Sequence, residues 1–555
     1  MRASLSSYLA AWSALSIPGL LAYKISQIPF MPSFGRTSHE NNVHRLPDWN
    51  YDLHALEPIP LAVNGNSTNR VNLVYFGDGY TEEERHTFIR DAQFLTDTLM
   101  DPGGAFSPVA TLLNFWAVFI PSGESGIGTH GKPRNTTFGL YRPGEELRAV
   151  FYAHPERVAA ACKALNQRSS RRHGTSVNFG CDEPILLGND GFYGGLGGTP
   201  TVITASGNNG VQVLRHELGH TLIPVGEEYD GGFAYFGVNA ANASERSAKQ
   251  DVSWAHWFSD LKAQRTGRVR IEDSRVAVQK YPWHDLSRSP YAVDFSDHGA
   301  DYPTGLLRFS VSGIPDKTNL VVKMDGQVVD YDFTKEHHGS LDRTWVQIAL
   351  DRGLTGYSAY DNNHHKLEFD ANAASDTVKP MLSSVEIIEY GSNERFNGSA
   401  GHIGAYRTED IDGGITLRPT NEGCLMRDVT IPTFCSVCLE GLTLSLFSRV
   451  SLIESTRIMC PAADGKHAER HAAISLNLLN ITDASYTVRW FRGDVEIHGF
   501  GNKTTVDIPV SLLQPERKSV EGMYTAKVKL ALPLVRLGDR EEMQDKTDIW
   551  FGGCH

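Results

Sequence analysis

The sequence predicts a multidomain α+β protein: an α/β unit in two pieces, a β-sandwich inserted between them, and a C-terminal β-sandwich-like domain. Three observations lead there. At 555 residues the chain is too long for a single core. Up to about residue 300, apolar strand runs alternate with stretches of helical spacing, the pattern of an α/β unit. Beyond it, short strands follow one another without helices, broken only by the segment around Cys424. The expected boundaries are 61–300 with 396–450 for the α/β unit, 301–395 for the insertion and 451–555 for the last domain.

In chain order, residues 1–22 read as a signal peptide. Leu9 to Ala22 is apolar but too short to span a bilayer, Arg2 is a thin basic flank, and a retained N-terminal anchor is the alternative. Residues 23–60 are rich in Pro, Asn and His without periodicity and read as an arm, linker or propeptide. Strands are expected at 71–76, 115–120, 184–187 and 201–204, with helices at 82–99 and 146–165. In the insertion, strands are expected at 306–311, 320–324, 328–333, 345–350 and 385–388. Asp325-Gly326 supplies a hairpin turn, since both positions accept positive φ. The last domain offers strands at 474–479, 486–491 and 523–532. Arg492-Gly493-Asp494 there is read as a turn rather than an adhesion ligand.

One helix carries chemistry. Asn209 can cap it, with Gln212 reaching back, and Val211, Leu214, Leu218 and Leu222 form its apolar face. His216 and His220 lie one turn apart on another face, so both imidazoles can reach one metal ion. Glu217 beside them can take a proton from a water on that metal, the arrangement of zinc-dependent peptide hydrolysis. Gly219 costs roughly 1 kcal/mol in a helix, tolerable if another backbone must pass close by. Pro224 ends the helix and turns the chain back, which makes Glu227 the first choice for a third ligand. Glu228 and Asp230 compete, as does Glu245 from a more distant segment.

Around this helix the sequence resembles the IgA-peptidase family of metallopeptidases. HELGHTLIPVGEEYD, residues 216–230, fits the family's zinc motif, with Glu227 where the family usually has aspartate. NLVYFGDGYTEEE from Asn72, NFWAVFIPSGESGIG from Asn114 and YGGLGG from Tyr193 are similar to its earlier segments. RPTNEGCLMRD and PTFCSVC, between Arg418 and Cys438, are similar to its closing segment. The resemblance implies a zincin-like (metzincin-like) catalytic domain holding Zn2+ through His216, His220 and Glu227, with Glu217 as general base. It also implies a protein or peptide substrate, immunoglobulin A being a known substrate class of the family. Met426 is a candidate hydrophobic floor, and Tyr193 and Tyr229 are candidate oxyanion donors.

Composition narrows the alternatives. A net charge of −13, with no Lys/Arg stripe, argues against nucleic acid as a partner. No second apolar stretch is long enough to span a membrane. Six Asn-x-Ser/Thr sequons, at Asn66, Asn135, Asn242, Asn397, Asn480 and Asn502, favour a secreted glycoprotein. Seven cysteines leave an odd one. Cys162 with Cys181 and Cys460 with Cys554 are candidate disulfides, and disulfides are favoured over a second metal for Cys424, Cys435 and Cys438. The expected function is therefore a secreted zinc metalloendopeptidase. The rivals are an inactive secreted binding or adhesin protein with a vestigial zinc site, and a zinc hydrolase of non-peptide bonds.

Overall fold

The structure is a computed structural model that describes residue 49 and residues 51–168, 180–243, 252–357, 363–372, 378–460, 471–509 and 521–552. The expected signal segment, most of the N-terminal arm, Glu245 and Cys554 lie outside the described residues.

The first sheet has the order β1-β3-β2-β4-β6-β5, with β1 at Pro58–Val63, β2 at Val71–Asp78, β3 at Leu113–Val118, β4 at Glu183–Gly188, β5 at Gly195–Leu196 and β6 at Thr201–Thr204. Strands β3, β2, β4 and β6 run parallel, and both edges, β1 and β5, run antiparallel to their neighbours. Every residue of β2 and β4 is buried, as parallel strands covered on both faces require. Residues 58–60, placed by sequence in the N-terminal arm, begin the strand that covers the edge of β3. At the end of β2, buried Asp78 accepts hydrogen bonds from the Phe138 and Leu140 N–H groups and the Thr136 hydroxyl. The Gly-Asp-Gly-Tyr motif thus anchors a loop.

Helix α1 (Arg85–Met100) packs Phe88, Ala92, Leu95 and Leu99 into the core, and α2 (Pro155–Arg168) follows β3. The helix expected from residue 146 starts only at Pro155. Proline suits the first helical position, whereas Phe151–Tyr152 pairs as strand. Helix α3 (Gly210–Leu222) follows β6 directly. Among the described residues, no helix is long and apolar enough to cross a membrane.

Two further sheets enclose a second core. Their strands are β7 (Ser274–Lys280), β8 (Tyr291–Ser296), β9 (Thr304–Ser312), β10 (Leu320–Met324), β11 (Gln327–Val328), β12 (Thr344–Leu350), β13 (His364–Ala371) and β14 (Met381–Tyr390). The path β7-β14-β9-β12 faces β8-β13-β10-β11 across Leu307, Phe309, Val322, Leu367, Phe369 and Val385. Pairing therefore starts at Ser274, upstream of residue 301. Asp325 and Gly326 adopt φ of 52° and 79° in the β10–β11 hairpin. The strand expected at 328–333 is a correction: only Gln327–Val328 pairs, and the Val329 and Phe333 side chains fill the core from irregular backbone.

The chain then returns through α4 (Ser436–Phe447). The last strands are β15 (Ile453–Met459), β16 (His471–Leu478), β17 (Ser485–Arg492), β18 (Val495–Glu496), β19 (Thr505–Pro509), β20 (Gly522–Ala531) and β21 (Gln544–Phe551). They form the sheets β15-β16-β19 and β18-β17-β20-β21, whose core is continuous with that of the first sheet. Arg492 to Asp494 is a hairpin turn between β17 and β18, with Gly493 at φ 57°.

Cys162 and Cys181 form a disulfide, and Cys460 is disulfide-bonded too. Cys424, Cys435 and Cys438 are free thiols, which corrects the expectation of a disulfide among them. Cys424 and Cys438 bring their sulfurs to 3.8 Å, too far for a bond.

Buried Glu440 on α4 joins the two ends of the continuous core. It takes hydrogen bonds from His256 (2.6 Å), Trp257 Nε1 (2.8 Å) and the Arg536 N–H (2.6 Å). Burial alone would raise its pKa, but these donors together hold it below the usual carboxylate range. Its stabilisation is therefore present above the unfolded-state pKa of about 4.3 and is lost as pH falls below it. Glu440→Ala should destabilise the protein by roughly 2–4 kcal/mol at pH 7, because buried donors are left unpaired. Urea unfolding at pH 7 and pH 4 checks this, the deficit shrinking at the lower pH.

Candidate metal centre

Helix α3 sits as its sequence requires, with one correction at its start. Val213, Leu214, Leu218 and Leu222 are buried, Val213 taking the core position expected of Val211. Asn209 does not cap with its side chain. Its amide instead donates to Asp342 Oδ2 and the Arg343 carbonyl, both at 2.7 Å, and Ser206 Oγ accepts the Asn209 N–H at 2.8 Å. Gln212 bonds the Asn208 carbonyl and not the cap. A partner from the distant loop before β12 outcompetes the local capping box. Asp342 also accepts from Ser206 Oγ (2.5 Å) and the Tyr193 N–H (2.6 Å), so one carboxylate fixes the entry to the helix.

His216 and His220 lie with ring centroids 4.9 Å apart. Each is oriented through Nδ1: His216 against the Leu425 carbonyl at 3.1 Å, His220 against the Val225 carbonyl at 3.3 Å. With Nδ1 turned to those carbonyls, both rings direct Nε2 to the same space. Ile223 is extended before Pro224, and residues 224–227 then pair with 234–238. Gly226 N–H meets the Phe236 carbonyl and Glu227 N–H the Ala234 carbonyl, both at 2.8 Å. A Cβ on Gly226 would lie 2.5 Å from the Ala234 oxygen, so only glycine permits this approach. The pairing returns Glu227 to the helix, with its oxygens 3.3 Å from His216 Nε2 and 3.1 Å from His220 Nε2.

The competing acids point elsewhere. Glu228 is wholly buried and turned towards Asn239 and Cys438, while Asp230 pairs with Arg427 at 2.8 Å and accepts the Glu409 N–H at 2.7 Å. The residues fit a metal. His220 Nε2 and Glu227 Oε2 are buried without a hydrogen-bond partner, and two imidazoles with one carboxylate are a donor set suited to Zn2+.

Electrostatics separate the two glutamates at the centre. Burial raises the pKa of both, but the two histidines outweigh it at Glu227 and hold that carboxylate far below its usual range. At Glu217 burial wins, and the pKa is raised despite the histidines and the Gly197 N–H on its carboxylate. Burial would lower His220, yet Glu227 lifts it to about 9, and His216 is raised for the same reason.

Beneath the helix, Gly219 meets side chains and not backbone: a Cβ there would lie 2.9 Å from Met426 Sδ and 3.2 Å from the Phe434 ring. Met426 is fully buried, and its carbonyl takes the Glu228 N–H. Burial, with the Glu227 charge nearby, pushes the Tyr229 hydroxyl pKa well up, and Tyr193 packs on Trp345 and under Arg343, its N–H on Asp342. The Leu425 and Val225 carbonyls escape a reading of the sequence, because main-chain groups leave no residue-type signal.

Residues 59–265 match the family model described as IgA Peptidase M64, the family that the sequence resembles, and this supports a metallopeptidase. The match includes α3 and Glu227 and ends before Leu425. No curated protein matches the chain. Among solved structures, the extracellular domain of ANXUR2 from Arabidopsis thaliana aligns at 11% identity and TM-score 0.15, over 28% of this chain and 41% of that one. Beta-glucuronidases from Lactobacillus rhamnosus (11%, TM-score 0.12) and Ruminococcus gnavus (8%, TM-score 0.11) each align over 47% of this chain and 35% of theirs. The chain thus spans less than half of each, and likenesses this weak carry no argument.

Two outcomes are expected at this centre. Glu227→Ala should weaken zinc retention far more than Asp230→Ala, and Gly226→Ala should weaken it by about 10–100-fold through displacement of Glu227, all read by competition with a chromogenic chelator. Because Glu227 keeps His220 protonated up to about pH 9 without metal, zinc must displace that proton. Apparent affinity should therefore climb from pH 6.5 to 9 and level off above; a flat profile would contradict the geometry.

Proposed function

We propose that the chain is a secreted zinc-dependent metalloendopeptidase in which His216, His220 and Glu227 hold Zn2+ and Glu217 is the general base. The observation that carries this reading is the convergence of Glu227 on both imidazole Nε2 atoms, with Glu217, its carboxyl raised by burial, directly following His216. The family match over residues 59–265 supports the peptidase part. A sheet of parallel strands with the antiparallel edge β5 beside α3, and Met426 under the helix, supports a zincin-like (metzincin-like) catalytic fold. In this reading the catalytic domain is 61–300 with 396–450, the insertion is 301–395 and the last domain is 451–555.

When bound, zinc lowers the pKa of a water and polarises the scissile carbonyl. The chain's own residues do the rest. The Leu425 and Val225 carbonyls hold both imidazoles with Nε2 free. Glu217, its carboxyl raised by burial, accepts a proton from the attacking water and delivers it to the leaving amine nitrogen. The short edge strand β5 lies against Glu217: a Cβ added at Gly195 would stand 3.4 Å from Glu217 Cγ. Secretion is supported by the Cys162–Cys181 disulfide and by sequons at exposed Asn66, Asn135, Asn242, Asn480 and Asn502.

Glu217→Gln should keep the fold and the zinc while cutting peptide-bond cleavage by at least about 10²–10⁴-fold. The measurement is turnover of a peptide library by the purified chain, with and without chelator. Near-normal turnover by the variant would assign the proton transfer to another residue, and no cleavage by the zinc-loaded wild type would favour a binding protein.

A further inference from the structure

Glu228, the acid that the histidine site leaves unused, lies among three cysteines. Its side chain is wholly buried; Oε1 accepts from Asn239 Nδ2 at 3.0 Å and lies 3.5 Å from Cys438 Sγ, while Oε2 has no hydrogen-bond partner. Cys424, Cys435 and Cys438 are all free and buried. One ligand atom from each of the four residues lies within 4.8 Å of the other three.

The spacing is that of a tetrahedral site. With metal–sulfur bonds of about 2.3 Å and a metal–oxygen bond of about 2.0 Å, tetrahedral zinc sets two sulfurs about 3.8 Å apart and a sulfur and an oxygen about 3.5 Å apart. Cys424 Sγ and Cys438 Sγ are 3.8 Å apart, and Cys438 Sγ and Glu228 Oε1 are 3.5 Å apart. The surroundings favour a thiolate at Cys435. Cys435 is the N-cap of α4, and its own N–H reaches Cys424 Sγ at 3.4 Å. The helix N-terminus adds positive potential, and buried Arg418 faces Glu228.

We propose that Cys424, Cys435, Cys438 and Glu228 bind a second zinc ion, separate from the histidine site. Four protein ligands leave no open position, so this ion is structural. Its entry displaces the protons that the cysteines and the Glu228 carboxyl still hold and forms three metal–sulfur bonds and one metal–oxygen bond, with no change of oxidation state. Its effect reaches the first site through adjacent residues. Glu228 follows Glu227, and Cys424 precedes Leu425 and Met426, so one ion clamps together the two segments that orient the histidines.

The test is zinc stoichiometry and ligand identity on the full chain as secreted. The wild type should hold two zinc ions, with X-ray absorption showing sulfur neighbours at about 2.3 Å. The His216→Ala/His220→Ala double variant should keep one, and after cobalt exchange it should show sulfur-to-cobalt charge-transfer absorption. Cys438→Ser should lose that absorption. Should this variant fail to fold, alkylation of the denatured wild type still decides, and it should label Cys424, Cys435 and Cys438 as thiols. A disulfide between any two of them, or zinc with only nitrogen and oxygen neighbours, would overturn the proposal. A wild type with one sulfur-ligated zinc would uphold this site and refute the histidine one.

Discussion

Both imidazoles of α3 are tied by Nδ1 to a main-chain carbonyl, and the geometry of the centre follows from those two contacts. Without them each ring could present either nitrogen, and Glu227 would have no fixed pair to approach. One tie is local, to Val225, five residues beyond His220. The other is remote, to Leu425. The segment that provides Leu425 also places Met426 and, through Phe434, an aromatic ring against Gly219, so it sets the height of the helix as well as the tilt of a ring. A side chain at residue 219 would separate these layers.

That remote segment is itself held by charge. Arg427, fully buried, meets Asp230 at 2.8 Å, Glu422 at 3.1 Å and Glu386 at 3.4 Å; Arg308 on β9 meets Glu386 at 3.1 Å and also contacts Glu422. These ions join the acidic turn after α3, the closing segment and the second core. Desolvating so many charges gains little net stability, but removing one partner costs about 3–5 kcal/mol, because the remainder stays buried and unpaired. The network therefore acts mainly to fix one arrangement of the three parts.

How much of this is legible in the sequence follows from the range of each interaction. The pair His216 and His220, the stop at Pro224 and the return of Glu227 all lie within fifteen residues, where helical period and proline geometry suffice. Glu227 can be ranked above Glu228 from sequence but not chosen outright, since the choice depends on Asn239 and on cysteines some 200 residues away. Asn209 resembles a cap by residue type, yet its competitor, Asp342, lies 133 residues on, in the loop before β12. Residues 146–154 have helical spacing, but Pro155 is a better first residue. The strand expected beyond Val328 does not form, because burial there does not need pairing. Compartment alone suggests disulfides for Cys424, Cys435 and Cys438, whereas their spacing in the fold is set by α4 and Glu228.

The hydrogen bond from His216 to Leu425 closes 209 residues of chain. During synthesis, a nascent polypeptide that has reached residue 300 already contains both histidines, Glu217 and Glu227, yet it lacks the carbonyl that orients the first ring. Long-range closure of this kind is slow and comes after local structure. The centre is thus completed only once residue 425 has been made, and a product cut short before it carries every one of these side chains with one imidazole left unaligned.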